Sequence, residues 1–123
     1  VVCVASVSDT HGLLRGLTIP MGERVSGWAA ANRRSSVNSD ASLDLGQLVD
    51  SFDPPLRSGI ATAMLRDDRL VGVLTAYSPQ SEAFSDSHRY AVEHIAQLVA
   101  MCVGATFESR SSLVQFPQKS HQA

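Results

Sequence analysis

A segment that is apolar on both of its alternating faces sets the strongest limit on the fold of this chain. Residues 70–78, Leu-Val-Gly-Val-Leu-Thr-Ala-Tyr-Ser, place apolar side chains on both sides of an extended backbone. Such a strand is typical of the middle of a sheet that is covered on both faces. Residues 59–65 form a second apolar strand, and the polar residues 66–69 between them suit a hairpin. The sequence therefore predicts an antiparallel sheet with helices on both sides.

A long helix is predicted over residues 86–108, with Ser85 as its N-cap. On a helical wheel its apolar residues fill an arc of about 220°, whereas packing against one sheet needs only about 100°. The excess apolar surface predicts a homodimer through this helix. The residues assigned to the dimer interface are Val92, Ala96, Ala100, Val103 and Phe107.

The remaining elements complete an α+β fold with a central antiparallel sheet of about five strands, flanked by helices. We interpret residues 1–108 as one domain and the Ser- and Gln-rich residues 109–123 as a linker or disordered tail. The other elements are predicted as strands over 1–8, 17–19 and 35–38, a helix over 25–32, and a polar segment over 39–55 with one helical turn at 43–48.

Composition excludes several classes of protein. The 123 residues are 44% hydrophobic and 18% charged, which fits one globular domain rather than a disordered chain. A net charge of −2 offers no basic field for nucleic acid, and no apolar run is long enough for a membrane span. Two distant cysteines, Cys3 and Cys102, favour buried thiols in a reducing cytoplasm. Because the chain opens inside an apparent strand, without an initiator Met, we interpret it as a piece of a longer protein.

Local motifs for catalysis or metal binding are missing from the sequence. There is no Cys-x-x-Cys, no Gly-x-Ser-x-Gly and no His or Cys pair at metal-ligand spacing. Asp40 and Asp44 are four residues apart, and paired carboxylates could serve acid–base chemistry. Loop capping and solvation are the alternative role for this pair. On these grounds we expect no catalytic residue, no metal site and no enzyme activity.

Several short stretches, in this order, resemble GAF domains. Residues 19–30 read Ile-Pro-Met-Gly-Glu-Arg-Val-Ser-Gly-Trp-Ala-Ala, residues 70–74 read Leu-Val-Gly-Val-Leu, and Ala-Phe-Ser at 83–85 precedes the last helix. The wording is similar to bacterial GAF domains attached to diguanylate cyclase, phosphohydrolase or histidine kinase outputs. The likeness covers residues 1–108, without the first helix and first strand of the family. That missing helix is a rival to a second copy for the excess apolar surface of the last helix.

The resemblance implies a non-catalytic sensory or regulatory module of a signal-transduction protein. Such a module binds a small molecule or relays a conformational signal to an output domain in the same longer chain. A structural dimerisation module without ligand is the alternative, and a thiol-dependent reductase of the same fold is a third.

Known ligand classes of the family find little support in the sequence, so the cofactor stays unknown. Only Phe84 agrees with the cyclic-nucleotide signature. Cys3 and Cys102 are each followed by Val and do not suit bilin attachment. Free methionine sulfoxide reductases of this fold need pocket cysteines, and residues 22–65 contain none. No sign of haem or metal is present either.

The polar segment 39–55 is expected to cover a small-molecule pocket, because binding residues collect on long segments over a rigid sheet. Trp28 would give an apolar wall with one donor, and Arg57 would meet an anion. The opposing interpretation places Trp28 in the core and Arg57 in solvent. The residues assigned to the pocket, partly on the resemblance, are Trp28, Asn38, Asp40, Leu45, Arg57 and Ser58.

Overall fold

The computed structural model of the chain describes residues 12–109, with side chains as far as Val103. This part of the chain is an α+β domain, as predicted. A 3₁₀ helix spans Gly46–Ser51. The other elements, in chain order, are α1 (Arg24–Asn32), β1 (Ser36–Asp40), α2 (Ser42–Leu45), β2 (Ser58–Arg66), β3 (Arg69–Ser78) and α3 (Asp86–Ser109).

The sheet has the order β1-β2-β3, and both pairings are antiparallel. The β2–β3 hairpin turns through only two residues, Asp67 and Asp68, because Arg66 and Arg69 pair with each other. Both turn residues have positive φ, 51° and 63°. A two-residue hairpin of this kind matches the right-handed twist of its strands. The predicted hairpin is thus confirmed, with strands that reach further into the polar stretch than expected.

Helices cover both faces of the sheet. Ala61 is paired with Thr75 and Thr62 with Leu74, so Thr75 and Thr62 point to opposite faces. The Thr75 hydroxyl lies 2.9 Å from the Ser26 hydroxyl on α1. On the other face, the Ser35 hydroxyl is hydrogen-bonded to both the Thr62 hydroxyl and the Glu93 carboxylate of α3. One face therefore carries α1 and α2, and the other carries α3.

The strand count differs from the prediction. Residues 12–109 contain three strands, not five. The strand predicted over residues 1–8 lies outside the described residues. In the strand predicted over 17–19, Thr18 alone forms an isolated β-bridge. A turn, closed by the hydrogen bond from Leu17 N–H to the Leu14 carbonyl, comes just before it, and Pro20, which cannot donate a backbone hydrogen bond, comes just after.

The last helix begins where the sequence predicted. The Ser85 hydroxyl accepts the N–H of His88 at 3.3 Å, and the His88 ring nitrogen Nδ1 accepts the N–H of Ser85 at 2.9 Å. This reciprocal arrangement satisfies two backbone donors at the start of α3, as in a capping box. Within residues 12–109, no helix is both long and apolar enough to cross a membrane.

Candidate functional site

A buried carboxylate lies where α1, α2 and β3 meet. Asp44 is only 2% exposed. Its Oδ1 accepts the backbone N–H groups of Val25 at 2.9 Å and Ser26 at 3.0 Å. Its Oδ2 accepts the hydroxyls of Ser26 at 2.6 Å and Tyr77 at 2.9 Å. Four donors thus compensate the loss of water around the carboxylate, as a buried charge requires.

The hydroxyl of Ser26 extends this network to the sheet. Ser26 gives its single proton to Asp44, so it must accept the proton of Thr75, whose Oγ1 lies 2.9 Å away. Donors and acceptors therefore have one consistent direction, from Thr75 through Ser26 to Asp44. We call Ser26, Asp44, Thr75 and Tyr77 the Asp44 cluster.

The cluster also explains how α1 begins. Glu23, at the N-cap position, makes no side-chain cap, and the first orphan N–H groups of the helix point at Asp44 instead. A negative charge at a helix N-terminus is favourable. The Arg24 guanidinium donates to the Asp44 carbonyl oxygen at 3.0 Å, which joins α1 to α2 a second time. The start of the polar segment 39–55 is in this way pinned over the sheet.

Two of the predicted pocket residues lie close together at the β1–β2 end of the sheet. The Asp40 carboxylate accepts the N–H of Ser42 at 2.9 Å and its hydroxyl at 2.8 Å. These bonds hold the pKa of Asp40 below its usual 3.8, and the nearby positive charge of Arg57 lowers it further. Asp40 therefore forms an Asx turn with Ser42 before α2, whereas Asp44, predicted as its solvated companion, is buried.

Asn38 and Ser58, two further predicted pocket residues, bind backbone groups that lead into α3. Asn38 donates to the Phe84 carbonyl at 2.8 Å and accepts the Phe84 N–H at 2.9 Å. Ser58 donates to the Gln80 carbonyl at 2.6 Å. These bonds fix the 80–84 connection to the sheet, and a ligand contact at either residue stays a prediction.

The two apolar members of the predicted pocket differ in exposure. Trp28 is 40% exposed on α1, whereas Leu45 is buried in α2. Trp28 is therefore not fully buried in the core. Its role as an apolar wall of a pocket stays a prediction.

The predicted dimer residues are mostly turned inward. Ala96 and Ala100 are 2% and 0% exposed, because α3 packs on β2 and β3 along this side. Val92 and Val103 are half-buried, and the side chain of Phe107 lies outside the described residues.

Thiols and metal ligands are sparse around the Asp44 cluster. Among residues 12–103 the single cysteine is Cys102, exposed on α3, and Cys3 lies outside the described residues. In this part of the chain, no three His, Cys, Asp or Glu side chains come together as metal ligands.

The sequence analysis missed the centre of this site. Asp44 was noted only as a partner of Asp40, and Ser26, Thr75 and Tyr77 were not singled out for it. The available signal was the position of an acid between Leu43 and Leu45, in a short helical turn. An acid flanked by apolar residues in such a turn is a candidate for a buried, fully bonded carboxylate.

The hydrogen bonds that Ser42 donates to Asp40 give a pH prediction. Because the folded pKa of Asp40 lies below the unfolded value, the charged form stabilises the fold above about pH 4, and this contribution disappears as pH falls through the folded pKa. Asp40→Asn keeps an oxygen that can accept hydrogen bonds from Ser42 and removes the charge. Urea unfolding should show the wild type more stable than Asp40→Asn at about pH 6, with the difference shrinking as the pH falls below about 4. A difference that does not change with pH would contradict this role.

Comparison with known proteins follows from this geometry. An antiparallel sheet between helices, with a polar segment pinned over one face, defines an α+β domain. The chain belongs to the GAF domain family, whose model matches residues 4–103. No curated protein matches the chain significantly.

Solved structures of reductases are similar to the chain. One is fRMsr of Staphylococcus aureus in complex with substrate, at 27% identity over 69% of this chain and 54% of that chain, with a TM-score of 0.56. Its reduced form matches at 28% identity over the same shares, with a TM-score of 0.56. Free methionine-R-sulfoxide reductase of Neisseria meningitidis, in complex with its substrate, matches at 25% identity over 74% of this chain and 53% of that chain, with a TM-score of 0.57. The chain spans about half the length of these proteins.

These structures correct the functional expectation. The prediction of a non-catalytic sensory module, with no enzyme activity, was wrong, because the similar structures are reductases. The structural dimerisation module is not favoured either. The prediction relied on pocket cysteines and local catalytic motifs. Their absence argues against one particular mechanism, but it does not show whether the whole fold is similar to that of an enzyme.

Proposed function

We propose that the chain is part of a thiol-dependent reductase that acts on a small sulfoxide of the free methionine-R-sulfoxide type. The observation that carries this proposal is the likeness to reductase structures at 25–28% identity over 69–74% of the chain. Two of these structures were determined in complex with substrate. Since the chain spans about half of each, the proposal concerns the part of the reductase that this chain represents.

The end of the sheet where β1 stops and β2 begins, beside the start of α2, is the proposed substrate side. A free amino-acid sulfoxide carries an ammonium group, a carboxylate and a sulfoxide oxygen. The Arg57 guanidinium lies close enough to Asp40 to lower the pKa of its carboxyl, and the two side chains suit the two ends of such a zwitterion. The exposed ring of Trp28 adds apolar surface for the thioether chain.

The reaction requires two thiols. One thiolate attacks the sulfoxide sulfur, the S–O bond breaks, and the oxygen leaves as water with the two protons of the thiols. The products are the thioether, a disulfide and water, so two electrons pass from the thiols to the sulfoxide. Cys102 lies on α3, and the sheet separates α3 from the Asp44 cluster. The proposal therefore assigns the attacking thiol to Cys3 or to a soluble dithiol, and not to Cys102.

A chiral reduction assay tests the proposal. With dithiothreitol as the dithiol, the purified chain should convert the R epimer of free methionine sulfoxide to methionine, measured by chromatography, and should spare the S epimer. Cys102→Ser should keep the rate. Cys3→Ser should lower kcat by about 100-fold or more if Cys3 is the nucleophile, and should leave it unchanged if the soluble dithiol attacks.

Substrate contacts have their own measurement in the same assay. Arg57→Ala should raise KM for the R epimer by about tenfold, since one charged contact contributes about 1.4 kcal/mol. The matched control is Arg69→Ala, because Arg69 begins β3 at the hairpin turn, whereas Arg57 lies at the opposite end of that strand pair. No methionine from either epimer above the rate of dithiothreitol alone would overturn the proposed function.

A further inference from the structure

The histidine at the start of α3 makes its capping bond in one protonation state only. The Ser85 N–H donates to Nδ1 of His88 at 2.9 Å. Because a backbone N–H can only donate, Nδ1 must offer its lone pair, and the ring proton lies on Nε2. The cap of α3 is therefore made by the neutral ring of His88. A capping box ordinarily has Glu or Gln at this position, and both keep an accepting oxygen near neutral pH.

Protonation of the His88 ring removes this acceptor. An imidazolium ring carries an N–H at both nitrogens, so Nδ1 would then point a proton at the Ser85 N–H. The positive charge would also lie in the first turn of α3, where the helix dipole disfavours a cation. The second bond of the cap, from the His88 N–H to the Ser85 hydroxyl, does not involve the ring and is kept. Protonation thus weakens the cap without abolishing it.

The cap is joined to the sheet through the residues just before it. Asn38 of β1 holds both backbone groups of Phe84, since it donates to the carbonyl at 2.8 Å and accepts the N–H at 2.9 Å. The Phe84 ring also meets the His88 ring edge-on, with the ring centroids 6.1 Å apart. A change at the His88 ring is therefore felt first at Phe84, the last residue of the 80–84 connection.

Charged groups of both signs surround the start of α3. The strands on which α3 packs, β2 and β3, carry charge only at their hairpin turn, which is the end of the sheet away from Ser58. The charged residues at the near end come from α3, the 80–84 connection, β1 and the residue before β2, and they are Asp86, Arg89, Glu82, Asp40 and Arg57. An ion pair between protonated His88 and Asp86 or Glu82 is therefore the opposing possibility that an experiment must distinguish.

We propose that His88 is a pH-sensitive cap, which holds the start of α3 to the 80–84 connection near neutral pH and releases it in mild acid. Free histidine binds a proton near about pH 6.5, so the change falls between about pH 7.5 and 5. Because the fold favours the neutral ring, the stabilisation is complete above this range and is lost as the pH falls through it. The release loosens the end of the sheet that carries Asp40 and Ser58. This inference does not depend on the reductase proposal.

Hydrogen exchange at single amides measures the release. The purified full chain is followed by NMR at pH 7.5 and pH 5, and the protection of the Phe84 amide is corrected for the intrinsic effect of pH on exchange. Protection in the wild type should fall by about fivefold in acid, the fold-change that corresponds to about 1 kcal/mol of capping. The Ser85 amide resonance should shift along the same titration curve as the ring protons of His88.

Two variants isolate the contribution of His88. His88→Gln keeps a neutral acceptor at the capping-box position, so protection at Phe84 should be equal at both pH values. His94→Gln is the matched control, because it removes the other histidine of α3, which is exposed six residues further along the helix. This control should keep the pH dependence of the wild type.

Each outcome of these measurements decides the proposal. Equal protection at both pH values in His88→Gln supports it at any level of protection, since the level reports only how well Gln caps. A pH dependence that persists in His88→Gln, or disappears in His94→Gln, would overturn it, because another group would then be responsible. A wild type with equal protection at both pH values would overturn it too. Higher protection in acid would mean that protonated His88 pairs with Asp86 or Glu82 and strengthens the start of α3, which is the opposite effect.

Discussion

Asp44→Ala is expected to lower the free energy of unfolding by about 3–5 kcal/mol, since it leaves several buried donors without an acceptor. The affected donors are the hydroxyls of Ser26 and Tyr77 and the N–H groups of Val25 and Ser26. Water cannot easily replace the carboxylate, because Asp44 is 2% exposed. The measurement is urea unfolding, followed by far-UV circular dichroism.

Two companion variants isolate the cause of that loss. Asp44→Asn keeps the shape and one carbonyl oxygen, but turns an NH₂ group toward donors, so it should lose about 2–3 kcal/mol. Leu43→Ala, next to it on α2 but 55% exposed, should lose less than about 1 kcal/mol. If Asp44→Ala cost no more than Leu43→Ala, the cluster would not hold α1 and α2 on the sheet.

Local patterns predicted the secondary structure well. The alternation of apolar residues in β2 and β3 and the Ser85 cap of α3 lie within single segments, so the sequence carries their signal directly. The 3₁₀ helix Gly46–Ser51 was anticipated only as a helical turn at 43–48. Its extent depends on how the segment returns to the sheet, where Leu56 N–H bonds the Val49 carbonyl.

Contacts between distant segments could not be predicted in this way. Asp44 meets Val25 and Ser26 across 19 and 18 residues of sequence, and Tyr77 across 33. No spacing rule brings these residues together, because their contact depends on the packing of three elements. The acid at position 44 therefore looked like one of many loop carboxylates.

The last helix shows a subtler failure. Its apolar arc is broader than one sheet can cover, and the small residues Ala96 and Ala100 were assigned to a partner. In the structure they lie against the sheet, where small side chains allow α3 to approach the strands closely. Larger Ile95 and Leu98 face outward. Which side of α3 is buried depends on which side packs against the sheet. A helical wheel shows the apolar residues but does not show which of them contact the sheet.

The functional error has a similar origin. The absence of cysteines between residues 22 and 65 excludes only a thiol-based site built from that stretch of the chain. Similarity to reductase structures compares the backbone path over 69–74% of this chain, which spans about half the length of those proteins. A thiol supplied from outside this chain would leave no mark in its sequence.

Gly27→Ala is expected to lower the free energy of unfolding by about 3 kcal/mol or more, because overpacking against backbone has no cheap relief. A methyl group at this position would overlap the Pro20 carbonyl oxygen and lie 3.3 Å from Gly22 N and from the Ile19 side chain. To make room, α1 must move away from residues 19–22. That movement stretches the 2.8 Å bond from Gly22 N–H to the Gly27 carbonyl and uncovers Ile19, which is 4% exposed.

Gly72→Ala is the matched control, since it adds the same methyl group in the sheet. There the new atom meets only the terminal methyl of Met64, at 2.5 Å, and a flexible side-chain end can turn aside. This variant should change the free energy of unfolding by less than about 1 kcal/mol, measured by the same urea unfolding. If the two alanine variants were equally stable, residues 19–22 could move away from α1 at little cost in free energy. The glycine at position 27 would then not explain the close approach of that helix, on which the Asp44 cluster depends.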